Sequence, residues 1–259
     1  MKLPLRIIRD SAKCAVFNMT ADRYLLDMAE GGNTVFLRLY AWNPPAVSIG
    51  RMQHTHKLLD KESLTKNGIE WVQRPTGGRT VLHWNDLTYA FVFPADAEEL
   101  GRTINESYSV ISRCLLRGLE IAGIPGESHY SAAEYSATKR EIKLPCFLSP
   151  NRSEIMATGK KLAGSAQKRT AKAVLQHGSI PLDGSFRRLP EFLAISQEER
   201  TRQRLLLEKR CICVSEINPA IGYKKLSACL IKGFTEMLRF SVFEKQWDEK
   251  ELEEIYATM

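Results

Sequence analysis

The stretch that most constrains this chain runs from Gln73 to Pro94, Q-R-P-T-G-G-R-T-V-L-H-W-N-D-L-T-Y-A-F-V-F-P. Leu87 to Phe93 is apolar, β-branched and aromatic, the composition of a buried strand. Any fold must therefore supply packing partners for that run. Pro75 and Gly77-Gly78 mark a turn just upstream, and successive glycine amides between Arg74 and Arg79 have the makings of an anion cradle. By composition alone, a glycine hairpin with two solvated arginines fits the same residues.

A second stretch, Leu144 to Pro181, carries the groups with chemistry. Cys146 stands between Pro145 and Pro150, which donate nothing to a sheet ladder and turn their preceding residues away from helix, so the thiol is expected on a surface loop. A thiol becomes a nucleophile where positive charge lowers its pKa from about 8.5, and Lys160 and Lys161 are in position by sequence to supply it. A half-buried cysteine in an ordinary loop is the competing reading. Gly159 to Ala166 reads as a tight turn into a short strand whose small residues let backbone lie close to a ligand. The next strand-like run stops at Gln176, His177 and Gly178.

Three segments taken together resemble the lipoate-protein ligase and octanoyltransferase superfamily in order and spacing. They are S-I-G-R-M-Q (Ser48 to Gln53), R-P-T-G-G-R-T-V-L-H (Arg74 to His83), and G-K-K-L-A-G-S-A-Q with L-Q-H-G-S (Gly159 to Gln167, Leu175 to Ser179). C-F-x-x-P at Cys146 to Pro150 looks like the cysteine-dependent octanoyltransferase branch. The resemblance implies an α+β fold, a mixed and largely antiparallel sheet flanked by helices, as in biotin ligases and class II aminoacyl-tRNA synthetases. It implies that Cys146 takes an octanoyl group from acyl carrier protein as a thioester and passes it to a lysine of a lipoyl carrier protein, either the glycine cleavage H protein or a 2-oxoacid dehydrogenase lipoyl domain. Lys161 matches the family lysine that contacts the acyl carbonyl. Substrate contacts are implied for Arg74, Gly77, Gly78, Arg79, His83, Gly164, Ser165, Ala166, His177 and Gly178. Two departures from the ligase pattern stand out: Arg79 replaces a third glycine, as in the transferase branch, and Trp84 replaces the aspartate after His83, leaving Asp86 as a nearby acid.

No metal or resident cofactor is expected on this reading. Octanoyl-phosphopantetheine is a substrate, and ATP and lipoyl-AMP enter only if the chain is a lipoate ligase. That ligase, an amidotransferase moving octanoyl between lipoyl proteins, and a non-catalytic acyl-binding module are the alternatives.

The rest of the chain frames these segments. A length of 259 residues suits one catalytic domain, with a core at about 15–182 and a helical part over 183–259 packed on the same body. Asn18 to Glu30 reads as a helix with Thr20 as its N-cap, ended by Gly31-Gly32. Strands are expected at Thr34 to Tyr40 and Ala46 to Ile49. Thr103-Ile104-Asn105-Glu106 is a capping box before a helix ended by Gly123, with Cys114 in its core. Glu191 to Leu207 and Ile221 to Leu238 read as helices. Six cysteines lack paired spacing for a disulfide framework or zinc site, and His54 and His56 have no third ligand close in sequence. Arg6, Arg9 and Asp10 interrupt any signal-like run and no apolar span reaches membrane length, so the cytoplasm is expected, without a membrane partner. The formal charge of +7, with basic clusters at Lys139 to Lys143, Lys168 to Lys172 and Arg200 to Arg210, suits an acidic protein partner. Those bases are interleaved with acids and no DNA-binding motif appears, so no nucleic acid is expected.

Overall fold

The computed structural model describes residues 3–54, 58–129 and 154–259. The chain opens with β1 (Pro4–Arg9), α1 (Ala15–Glu30), β2 (Val35–Tyr40) and β3 (Ala46–Ile49). It continues through α2 (Lys61–Lys66), β4 (Glu70–Gln73), β5 (Val81–His83), β6 (Asp86–Pro94) and α3 (Ile104–Ile121). After β7 (Glu127–His129), β8 (Glu154–Ala157), β9 (Lys160–Arg169) and β10 (Ala173–Pro181), a 3-10 segment spans Gly184–Phe192. The chain closes with α4 (Gln197–Arg210), α5 (Val214–Ile217), α6 (Tyr223–Met237), β11 (Ser241–Glu244) and α7 (Glu249–Ala257).

The long apolar run forms β6, buried along its whole length. It lies fourth in an eight-stranded sheet of order β11-β1-β2-β6-β10-β9-β8-β7. The β11-β1 and β1-β2 pairs are parallel and the remaining pairs antiparallel. This is the mixed, largely antiparallel sheet the sequence implied. Both faces of β6 are covered, so the run lacks the polar alternation of a half-exposed strand. Tyr89, Phe91 and Phe93 enter a core shared with α3 and α6, while Ala90 and Val92 enter one shared with α1. Each buried phenylalanine contributes on the order of 1.5–3 kcal/mol. Ile212, Val214, Ile221, Leu226, Leu230 and Phe234 belong to the first of these cores, so the C-terminal helices complete it. A three-stranded sheet, β4-β3-β5, stands apart and carries the glycine turn between β4 and β5.

Four boundaries differ from the sequence reading. Helix α1 begins at Ala15, not after Thr20, because Glu70 caps it from β4: its Oε2 accepts from the Ala15 amide at 2.7 Å. The charged segment read as one helix from Glu191 breaks in two, a 3-10 segment containing Pro190 and then α4, whose N-cap is Ser196. The turn at Gly159 leads not into a short strand but into the ten residues of β9. The strand read as ending at Gly178 continues to Pro181. The capping box at Thr103 and Glu106 forms as expected, and Cys114 is fully buried. Among the described residues no helix is long and apolar enough to cross a membrane.

Candidate active site

A narrow pocket lies between the two sheets, its empty space with the open mouth about 360 Å³. Met19 of α1, Tyr40 and Trp42 after β2, Arg74, Val81 and His83 around the glycine turn, and Gly164 to Ala166 facing His177 to Ser179 line it. Seven of the residues expected at the site, Arg74, His83, Gly164, Ser165, Ala166, His177 and Gly178, therefore meet there. Antiparallel pairing of β9 with β10 puts His177 beside Ala166 and Gly178 beside Ser165.

The other three expected substrate residues, Gly77, Gly78 and Arg79, form the turn beside the pocket. Arg74 holds this turn from inside: its Nη2 donates to the Gly77 and Arg79 carbonyls at 3.2 and 2.7 Å, and its Nη1 to the Ser48 carbonyl and Oγ, both at 2.8 Å. Gly78 takes a left-handed φ of 92° that favours glycine. Gly50 is required opposite it, since a Cβ there would collide with the Gly78 carbonyl. Arg79 is half-buried, and its Nη1 is a buried donor without a partner among the described residues.

Lys160 and Lys161 separate because adjacent strand residues face opposite ways. Lys160 reaches the Glu208 carbonyl at 3.2 Å. Lys161 is 3% exposed, its Nζ 2.6 Å from Glu154 Oε1. Its side chain runs against Gly164, so that a Cβ there would lie 3.6 Å from Cε. The lysine thus packs behind Gly164, which lines the pocket, without lining it itself. Cys146 lies outside the described residues, as do Lys139 to Lys143 and His56. Cys211 pairs beside Lys161 through an isolated bridge, but burial pushes its thiol up to about 12 despite the lysine charge.

Both pocket histidines are held from behind by an aspartate. Asp86 Oδ2 lies 2.8 Å from His83 Nδ1, and Ser48 Oγ lies 2.7 Å from Nε2. Asp22 Oδ2 lies 2.8 Å from His177 Nδ1, and Thr76 Oγ1 lies 2.7 Å from Nε2. Trp42 stacks on His83 with ring centroids 4.0 Å apart.

Residues 14–235 match the Lipoyl protein ligase A/B catalytic domain. The chain belongs to that family. Octanoyltransferase LipM of Geobacillus kaustophilus (strain HTA426) is 35% identical over 242 residues, 88% of this chain and 84% of that protein. Its counterpart from Lysinibacillus sphaericus (strain C3-41) is 31% identical over 256 residues, 96% and 92% of the two chains. The crystal structure of lipoate-protein ligase A bound with ATP superposes with a TM-score of 0.78 at 21% identity, covering 97% of this chain and 92% of that one. A bi-partite lipoate protein ligase from Thermoplasma acidophilum, in a structural study with its E2 lipoyl domain, gives 0.79 at 20%, covering 99% and 91%. These two structures share the fold.

Within the lipoyl protein ligase A/B family pattern, the departure at Trp84 is resolved by geometry. Trp84 packs with Leu189 and Phe192, with the Arg188 guanidinium 4.5 Å above its ring. Asp86 supplies the carboxylate at His83 instead, and the same oxygen accepts from Thr88 Oγ1 at 3.0 Å and from Ser179 Oγ. Ser48, Thr76 and Asp22 were not singled out by sequence reasoning. Ser48 sat inside a quoted motif. Asp22 carried the better signal: with Asn18 it is one helical turn apart on the buried side of α1, where polar residues need partners.

Burial lowers the His83 pKa from its ordinary value of 6.5; Asp86 opposes the shift, while Arg74 and His177 reinforce it. The unfolded chain takes up a proton near 6.5 that the folded chain refuses, so stability falls as pH drops below that value. Urea unfolding at about pH 7.5 and about pH 5.5 is expected to show a smaller loss in His83→Gln than in the parent, the other titrating groups being common to both. Equal losses would place the imidazole outside this linkage.

Proposed function

We propose that this chain is an octanoyltransferase of lipoate assembly, taking octanoyl from acyl carrier protein and delivering it to a lysine of a lipoyl carrier protein. The observation that supports the reading is Lys161, a buried ammonium packed against Gly164, which itself lines the pocket. Relatives at 30–35% identity over most of the chain bear the name octanoyltransferase, which agrees with that chemistry.

The Cys146 thiolate attacks the octanoyl thioester carbonyl and expels the phosphopantetheine thiolate, forming an acyl-enzyme. The acceptor amine then attacks that thioester, releases the Cys146 thiolate and loses a proton, leaving an amide. Lys161 stabilises the oxyanion in both steps. Thioester exchange keeps the acyl group activated, so neither ATP nor a metal takes part.

Donor choice tests this. Octanoyl carrier protein without ATP is expected to octanoylate a lipoyl domain. A requirement for octanoate plus ATP would make the chain a ligase, and reaction only from octanoylated lipoyl protein would make it an amidotransferase.

A further inference from the structure

Two carboxylate–imidazole–hydroxyl relays converge on the glycine turn from opposite sides. One runs from Asp22 through His177 to Thr76, a residue of the turn itself. The other runs from Asp86 through His83 to Ser48, which accepts from Arg74, and Arg74 in turn binds the Gly77 and Arg79 carbonyls. The proton positions follow from the partners. Asp22 accepts from Arg38 Nη1 and the Tyr40 hydroxyl, both at 2.8 Å, and Asp86 Oδ2 accepts from two hydroxyls. Each imidazole therefore carries its hydrogen on Nδ1 and offers a bare Nε2. Thr76 and Ser48 then act as donors, which agrees with Ser48 receiving a hydrogen from Arg74 at the same oxygen.

We propose that the two relays are positioning devices: His177 through Thr76, and His83 through Ser48 and Arg74, hold residues 74–79 in the conformation that sets Arg74 into the lining of the acyl pocket and keeps the turn beside it. All the side chains concerned are buried, Thr76 at 1% exposure and His83 and His177 at 4%, so water cannot replace a lost bond at little cost. The backbone bonds to this turn lie in its first half, Arg74 N to the Ile49 carbonyl at 2.8 Å and Arg51 N to the Thr76 carbonyl at 2.9 Å. The left-handed Gly78 lies beyond them, near enough to Ala166 that a Cβ added at Gly78 would stand 3.9 Å from the Ala166 Cβ. The side-chain relays thus fix the part of the turn that those backbone bonds leave unheld.

The consequence for turnover rests on the octanoyltransferase reading; the consequence for the turn does not. Thr76→Val keeps the shape and removes the donor. It is expected to speed amide exchange across 74–81 relative to the rest of the chain, and to raise KM for octanoyl carrier protein about tenfold, with kcat within about twofold. Thr76→Ser is expected to restore both. In the parent, nitrogen NMR at neutral pH is expected to show both histidines protonated at Nδ1 and bare at Nε2. Unchanged exchange in Thr76→Val, or an Nε2-protonated tautomer at either histidine, overturns the clamp. Should Thr76→Val not fold, the tautomers and the exchange of Ser48→Ala decide. Changed exchange with no octanoyl transfer in any variant would leave the clamp standing and remove the transferase reading.

Discussion

Incubated with octanoyl carrier protein and no acceptor, the protein is expected to gain one octanoyl group in its intact mass, and Cys146→Ala to gain none. Three of the other thiols are poor competitors. Burial pushes Cys114 and Cys211 up to about 12 and raises Cys213 as well, so none of the three is a thiolate at neutral pH. Lys161→Ala is expected to slow both acylation and transfer by about 10²–10³-fold, the usual loss when one oxyanion donor is removed. The fold should tolerate it, since Glu154, the partner left behind, is 15% exposed at its side chain and reaches water. Lys161→Arg should not restore the rate, because a forked guanidinium does not replace a point charge packed against Gly164. An adduct that persists in Cys146→Ala, or a rate in Lys161→Ala within about threefold of the parent, would remove the covalent relay.

Sequence reasoning singled out those residues because they carry chemistry in short, local patterns. The same holds for much of the framework. The apolar run of β6, the capping box at Thr103 and the small residues of β9 each express in a few neighbouring positions what the structure demands of them. Where the reading went astray, the cause was distant in sequence. Thr20 resembles an N-cap, yet the cap is a carboxylate 55 residues away at Glu70, which no local pattern contains. The break before α4 was the exception, since Pro190 and Ser196 announced it locally and a run of alternating charges obscured it.

The site divides along the same line. Glycines and cations were found from motifs, whereas the hydroxyls and carboxylates that orient them were not. Ser48, Thr76 and Asp22 acquire meaning only from pairing across separate elements: Thr76 and His177 are 101 positions apart, Asp22 and His177 are 155. Asp86 was visible as an acid near His83, and folding decides that it replaces the aspartate displaced by Trp84. The basic cluster on α4 shows the converse. Arg202 and Arg204 pair with Glu199 and Glu208, and Arg200 with Asp60, so much of its apparent positive field is neutralised on the spot.

Arg38→Met is expected to destabilise the protein by about 3–5 kcal/mol, the cost of breaking a buried ion pair from one side. Arg38 is fully buried, with Asp10 and Asp22 at 2.8 Å and Asn18 Oδ1 at 2.7 Å. Its guanidinium also lies 3.9 Å over the Tyr40 ring. Every N–H has an acceptor: Nε and Nη2 serve Asp10, Nη2 also serves Asn18 Oδ1, and Nη1 divides between Asp22 and the Asn18 carbonyl. Methionine would leave two carboxylates without their cation, and Arg38→Lys, a point charge with three donors, could not span them. Thermal unfolding is expected to drop by on the order of 10 °C in Arg38→Met. A drop of less than about 2 °C would mean that the pairs contribute little beyond offsetting their own desolvation. The change should also reach the site. Without the cation, Asp22 loses the partner that fixes its carboxylate, and its hydrogen bond from His177 Nδ1 weakens. The tautomer that receives Thr76 then loses its support, so Arg38→Met is expected to speed exchange in the glycine turn more than elsewhere in the sheet.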